Sequence, residues 1–232
     1  MTKNYNLKVL SFVLFLFFTT IGQSQSTQVS VFNYPGLNGN VGSTSCDNEN
    51  VNLIGIIDAL PDYDVDGSIT SFSNPTLLAT QLDESTFFFM TDMERENPAN
   101  TTFFPVASRA VFENWVDNGG VMVMTGTAGN DDTDFLNLIF DWDLQTVNGS
   151  SWIENTTNTA GTPFEDVSSP TLPNLSATDA INKNSVPNFT TMWGTDDNAV
   201  VAVIQYGAGY VIFLGWDFFN SGPGCGQYSH PW

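Results

Sequence analysis

The spacing of apolar and polar positions changes several times along this chain, and each change marks an element. The stretch QVSVFNY from Gln28 alternates apolar with polar residues and predicts a first strand. After a Gly/Asn/Ser loop, NVNLIGIIDALPDY places Val51, Ile54, Ile57 and Leu60 at helical spacing, with Pro61 as the stop. SITSF predicts a short strand, and NPTLLATQLDE predicts a helix entered through Asn-Pro. In STFFFMTDME the residues Phe87 to Met90 are apolar throughout, the mark of a central strand covered on both faces. FFPVASRAVFENWVDNGG is the clearest helix. Its predicted inner stripe is Val106, Ala110, Val111, Trp115 and Val116, and Gly119-Gly120 ends it. VMVMTGT is a second buried strand. DDTDFLNLIFDWDL follows as a helix, with Asp131 or Asp132 expected as its cap and Phe135, Leu138, Ile139 and Trp142 as its apolar face.

Strand and helix therefore alternate, which predicts an α/β fold around a mainly parallel sheet with right-handed crossovers. Beyond Leu144 the periodicity fades. The Asn/Thr/Ser/Pro-rich segment that follows is read as loops, with one strand near Ser151–Asn155. The pattern returns in NAVVAVIQYGAGYVIFLGWDFF, where two apolar runs flank Gly207-Ala208-Gly209 and predict a C-terminal β-hairpin.

The first residues follow a different logic. MTKNYNLK supplies two lysines, VLSFVLFLFF is apolar, and TTIGQSQS offers small residues for cleavage before Gln25. A membrane anchor needs ~18–20 apolar residues, and this run stops at about ten. Residues 1–24 are thus expected to be a secretory signal peptide and 25–232 a single α/β domain that is secreted or held at the cell surface. No later segment has the length and apolarity for membrane insertion. Export changes the meaning of the two cysteines: Cys46 and Cys225 are expected to form a disulfide, worth about 4–5 kcal/mol on the chain-entropy account. The 25 acids against 5 Lys+Arg, a net charge of −20, exclude nucleic acid and anionic lipid as partners, because basic groups to release their counterions are scarce.

Three segments in order, FFFMTDMERENP, AVFENWVDNGGVMVMTGT and YGAGYVIFLGWDFF, resemble the class I glutamine amidotransferase-like superfamily. More narrowly, they resemble its non-catalytic secreted versions in large bacterial extracellular proteins, often beside adhesin-type repeats. The resemblance spans Gln28 to Phe219 and implies a flavodoxin-like three-layer fold. It also frames what is missing. Catalytic members carry a cysteine on the turn after a central strand and a His-Glu pair near the C-terminus. Here the turn after VMVM reads Thr125, Gly126, Thr127 and Ala128, and the single histidine, His230, is followed by Pro231. The chain stops at Ser229-His230-Pro231-Trp232 where the resembled family continues into a helix, so further domains of a longer chain are expected.

Candidate chemistry lies in two places. Ligands of open α/β sheets bind beyond the carboxyl ends of the strands. The groups expected there are Asp92, Glu94, Thr125, Thr127, Asp131, Trp216 and Asp217, a set suited to a hard cation or a sugar. DYDVDGSIT offers Asp62, Asp64, Asp66 and Ser68 in the spacing of the first half of a calcium loop, with Gly67 at the turn. The twelfth position is Ser73 and not the bidentate Glu, so Ca²⁺ competes there with a plain acidic turn. Three functions follow as alternatives: a non-enzymatic module for extracellular binding, adhesion or display, with carbohydrate among its candidate ligands; a metal-assisted hydrolase using the strand-end acids; or a structural domain. The export expectation has a direct check. Expressed with its leader in a bacterial host, the exported protein should begin at Gln25 by intact mass and show no thiol to Ellman's reagent under denaturing conditions. Retention of residues 1–24, or two titratable thiols, would overturn it.

Overall fold

The computed structural model describes residues 27–34, 49–93, 97–127, 129–148, 151–167, 169–174 and 178–218. The leader and both cysteines, with the expectations attached to them, lie outside these residues. The elements in chain order are β1 (Thr27–Phe32), α1 (Glu49–Asp58), β2 (Tyr63–Ile69), α2 (Pro75–Asp83), β3 (Phe87–Met90), α3 (Val106–Asp117), β4 (Val121–Thr125) and α4 (Asp131–Phe140). They continue as β5 (Gln145–Val147), β6 (Ser151–Ile153), α5 (Thr156–Thr159), β7 (Thr171–Pro173), β8 (Ala180–Asn182), β9 (Phe189–Gly194), β10 (Asn198–Tyr206) and β11 (Gly209–Leu214). Among the described residues no helix is long and apolar enough to cross a membrane.

The fold is the expected α/β arrangement with a mostly parallel sheet. Nine strands join in the order β2-β1-β3-β4-β11-β10-β8-β5, and β9 also pairs with β10. The first five of that order are parallel, and β10, β8 and β5 continue antiparallel. The hairpin of β10 and β11 therefore lies inside the sheet, where β11 runs parallel to β4 from Tyr210↔Val121 to Leu214↔Thr125. The tip is docked as well: the Ala208 amide donates to Asp117 O at 2.9 Å and Tyr210 N to Gly120 O at 3.2 Å. Gly207, with φ 56°, takes the left-handed turn.

Alternate residues of the central strands face opposite layers. Phe88, Met90, Met122, Met124, Val211 and Phe213 point into the main core beneath α2, α3 and α4. Val29, Val31, Phe87 and Phe89 pack under Leu53 and Ile57 of α1. Beyond α1, that second face is closed by an aromatic-rich patch in which Trp152, Leu172, Met192 and Trp193 cover Val200 and Val201. The three-layer plan is thus helical on one side and half helical, half strand and loop on the other.

Several expected details differ. The apolar stripe of α3 is turned: Ser108, Phe112 and Val116 are buried, Val111 and Trp115 are half-buried, and Val106 is 68% exposed. A buried Ser108 breaks the apolar pattern because its hydroxyl donates to Phe72 O. In α1 the inner residues are Leu53 and Ile57, while Val51 and Leu60 are exposed. Asn50 and Asn52 are buried instead, donating to Asn33 Oδ1 at 2.7 Å and Phe218 O at 3.2 Å. In α4 the buried apolar residues are Phe135, Leu136, Ile139 and Phe140. Trp142 lies past the helix end and stacks on Phe140 with centroids 4.5 Å apart. In the segment expected as loops after Leu144, the strand expected near Ser151–Asn155 is β6, and β5 and β7 are additional; β8 and β9 follow before the C-terminal hairpin. SITSF is a strand only to Ile69, because the strand starts earlier, at Tyr63.

Phe72 is the hub of the main core. It is fully buried and its ring meets those of Phe32, Phe88, Phe103, Phe104, Phe112 and Phe135. Phe72→Ala should lower unfolding free energy by about 3–5 kcal/mol. Val106→Ala, at a position outside the core, should change it by less than about 0.5 kcal/mol. Urea unfolding of both variants checks this; equal losses would contradict the orientation of α3.

Candidate functional site

Where the parallel strands end, the chain buries polar side chains. Glu49, Asn50, Asn52, Thr91, Asp92, Thr125, Thr127, Asp132 and Thr133 are all buried, at strand carboxyl ends or in the first turns of α1 and α4. Part of this polarity fastens the exits together. The Thr91 hydroxyl donates to Phe32 O at 2.9 Å and the Thr125 hydroxyl to Met90 O at 3.2 Å. Gly126 N donates to Leu214 O at 2.9 Å. These bonds tie β1 to β3, β3 to β4 and β4 to β11. A Cβ on Gly126 would lie 2.8 Å from Gly215 O, so this turn closes against the exit of β11 and only glycine fits.

The structure brings Asp92, Thr125, Thr127, Trp216 and Asp217 to the ends of the neighbouring strands β3, β4 and β11. Glu94 lies outside the described residues. Asp92 is 1% exposed and Thr127 2%, and the Thr127 hydroxyl has no hydrogen-bond partner among the described residues. Trp216 is buried and stacks on Phe218, centroids 5.2 Å apart, so its indole is packing rather than an open platform. Asp217 is half-buried. Asp131 is also half-buried, and its carboxyl is raised by burial and then by Asp134.

The helix after β4 corrects the expected cap. Asn130 holds the cap position, and Asp132 is the second helical residue. Asp132 is fully buried; one carboxylate oxygen accepts the Thr133 amide at 2.5 Å and the other has no partner among the described residues. Burial first, and then the negative charge of Asp179, hold its carboxyl well above the usual range. Asp179 is pushed up to about 6 by burial. Its amide donates to Gly215 O at 2.6 Å, which keeps it against the exit of β11. The pattern of apolar positions pointed to neither acid in this role. The only signal was the run Asn130-Asp131-Asp132-Thr133-Asp134 at a helix entry, and Asp179 stands in an aperiodic segment. Asp132 is thus a buried carboxyl whose charged form is further disfavoured by the half-buried Asp179. Among the described residues no three Asp, Glu, His or Cys side chains gather as a metal-binding set.

The calcium-loop residues sit elsewhere. DYDVDGS is a turn only as far as Asp62; from Tyr63 it is the edge strand β2. Pairing with β1 slips at Asp66, since Val29 faces Val65 and Ser30 faces Gly67. Asp62 and Asp64 are exposed, as is Ser68, whose hydroxyl accepts from Asn33 Nδ2 at 3.5 Å. From Tyr63 onward the segment is therefore a bulged edge strand and not the tight turn of a calcium loop.

No family model and no curated protein sequence matches the chain. Among solved structures it is similar to the cytoplasmic protein STM1381 from Salmonella typhimurium LT2, with TM-score 0.56 and 12% identity over 88% of this chain and 92% of that one. The cytoplasmic protein STM3548 from Salmonella typhimurium is similar at TM-score 0.52 and 12% identity, over 89% and 93% of the two chains. A ThuA-like protein from Bacteroides uniformis aligns at TM-score 0.46 and 13% identity over 86% of each chain. The first two likenesses establish the fold, a flavodoxin-like α/β arrangement with a mostly parallel sheet.

The raised carboxyls of Asp132 and Asp179 set a pH dependence. An acid whose folded pKa exceeds its unfolded value of about 3.8 stabilises the fold when protonated and costs stability once ionised. The melting temperature should therefore rise as pH falls from about 7.5 toward 5, through the Asp179 value of about 6. Asp132→Asn keeps the acceptor for Thr133 and removes the charge, so it should raise the melting temperature at pH 7.5 and flatten the profile. A variant less stable than the parent at pH 7.5 would contradict the buried pair.

Proposed function

We propose that this chain is a secreted, non-enzymatic binding module built on the glutamine amidotransferase-like fold. One observation carries the reading. The turn after β4, where catalytic members of the resembled superfamily hold their cysteine, is Thr125-Gly126-Thr127. Both of its hydroxyls are buried, Thr125 is bonded to Met90 O, and Gly126 is closed against Gly215. A nucleophile must reach its substrate and have a base within hydrogen-bond range; this turn offers neither. The apolar leader and the acidic composition support an exported protein, and the acidity disfavours anionic partners.

A hydrolytic reading draws on a different observation, the Asp132–Asp179 pair, since two carboxyls with raised pKa values can share acid and base roles. Turnover separates the two. The exported protein should release no ammonia from glutamine and no nitrophenol from nitrophenyl esters or glycosides above the buffer rate between pH 5 and 8. Turnover that Asp132→Asn abolishes would replace the binding reading with a hydrolase.

A further inference from the structure

A second concavity lies at the same rim of the sheet, beside β1 and β2, and its chemistry differs from the acidic site. It is a cleft of about 240 Å³ walled by Tyr34, Ser71, Ser73, Asn100, Thr102 and Phe103, with Thr70 at its edge. Three separate chain exits build it. Tyr34 follows β1; Thr70, Ser71 and Ser73 lie between β2 and α2; Asn100, Thr102 and Phe103 precede α3. The Asn33 amide donates to Ile69 O at 3.0 Å, which sets the first two exits side by side. From this cleft we infer a binding site for a neutral carbohydrate, a ligand class that deepens the binding-module reading and rests on it.

The walls are arranged in advance. Phe103 packs its ring at 6.2 Å from Phe32 and 5.4 Å from Phe72, so it is an aromatic wall fixed by the core. The hydroxyls of Ser71 and Ser73 lie 2.8 Å apart, and the Ser73 amide donates to Ser71 Oγ at 3.1 Å. Asn100 Oδ1 accepts the amides of Thr102 at 3.0 Å and Phe103 at 3.4 Å, which shapes the third wall. Tyr34 is exposed at the mouth.

Charge selects the ligand. In a chain with 25 acids, none of the described residues that line this cleft is a carboxylate, and none is Lys, Arg or His. Among these walls a cation finds no counter-charge and an anion finds no base. A purely apolar ligand would strand the hydroxyls and the amide without partners, at a cost per group. What remains is an uncharged molecule rich in hydroxyls with an apolar face. Serine, threonine and asparagine groups both donate and accept toward such hydroxyls, and aromatic rings cover the C–H face of a pyranose. The volume falls below the ~300–1,000 Å³ of drug-sized pockets, which suits a single sugar residue or the end of a chain. The position also fits: from β1 the chain reaches β2 on one side and β3 on the other, and ligands of open α/β sheets enter beside such a reversal.

The test uses the exported protein with neutral sugars as probes (glucose, galactose, mannose, xylose and their β-1,4-linked dimers) and galacturonate as the charged counterpart. Saturation-transfer NMR and calorimetry should detect at least one neutral sugar and no galacturonate. Tyr34→Ala and Ser71→Ala should each weaken that binding, by about tenfold for the ring, with the melting temperature unchanged because both residues are exposed. Gln145→Ala, exposed on β5 at the opposite edge of the sheet, should leave the affinity as it was. The inference is overturned if no neutral sugar binds, if galacturonate binds equally, or if binding survives both cleft variants. That last outcome keeps the binding module and moves its site, whereas failure of the module itself would appear as turnover in the hydrolase assay.

Discussion

The sheet depends on one pairing, that of β11 with β4. β4 is apolar from Val121 to Met124 and needs a neighbour on each edge. β3 supplies one from nearby in sequence, and the other arrives only when the last hairpin inserts. The pairing joins the parallel half of the molecule to the antiparallel half, so neither half has a finished sheet without it. Its cost is the closure of a long loop before the contacts that reward it can form. Both ends of the seam are fastened: the hairpin tip sits on the end of α3, and at the other end Gly126 and Gly215 bring two backbones together where a side chain would hold them apart.

That seam also explains where polarity is buried. Backbone groups released at the ends of five parallel strands need partners, and threonine hydroxyls supply them between β1, β3 and β4. Past the seam the segment of Thr178 and Asp179 is drawn against Gly215, which brings a second acid toward Asp132. On the β1–β2 side the described residues that line the cleft are neutral. One end of one sheet thus holds buried carboxyls toward β4 and β11 and a cleft with neutral described walls toward β2.

The strands and helices of the first half were legible because apolar periodicity is strong where an element is covered by a large core. The phase of each stripe was less legible. Ser108 and Asn50 face inward because single carbonyl or amide partners meet them there, and no hydrophobic count registers such a bond. Val106 and Val51 are apolar yet exposed at helix starts, where the core has not yet closed over the chain. Strands of three residues such as β5, β7 and β8 are too short to show a period. At the strand ends, Thr125 and Thr127 were placed at the rim by order along the chain alone. The Asp132–Asp179 pair and the cleft of Tyr34, Ser71 and Phe103 join residues remote in sequence, and only the sheet order brings them together.

The bulged edge strand carries a consequence for crowding. Among the described residues β2 has no neighbour on its outer side, and an open strand is a template on which another chain can add. Here the open edge carries the exposed carboxylates of Asp62 and Asp64, and its ladder is interrupted at Asp66. Two copies approaching edge to edge would set acid against acid along an irregular backbone. Molecules packed densely on a surface can therefore touch without fusing their sheets, and the local concentration that promotes fibre growth in other β-proteins meets a terminated edge.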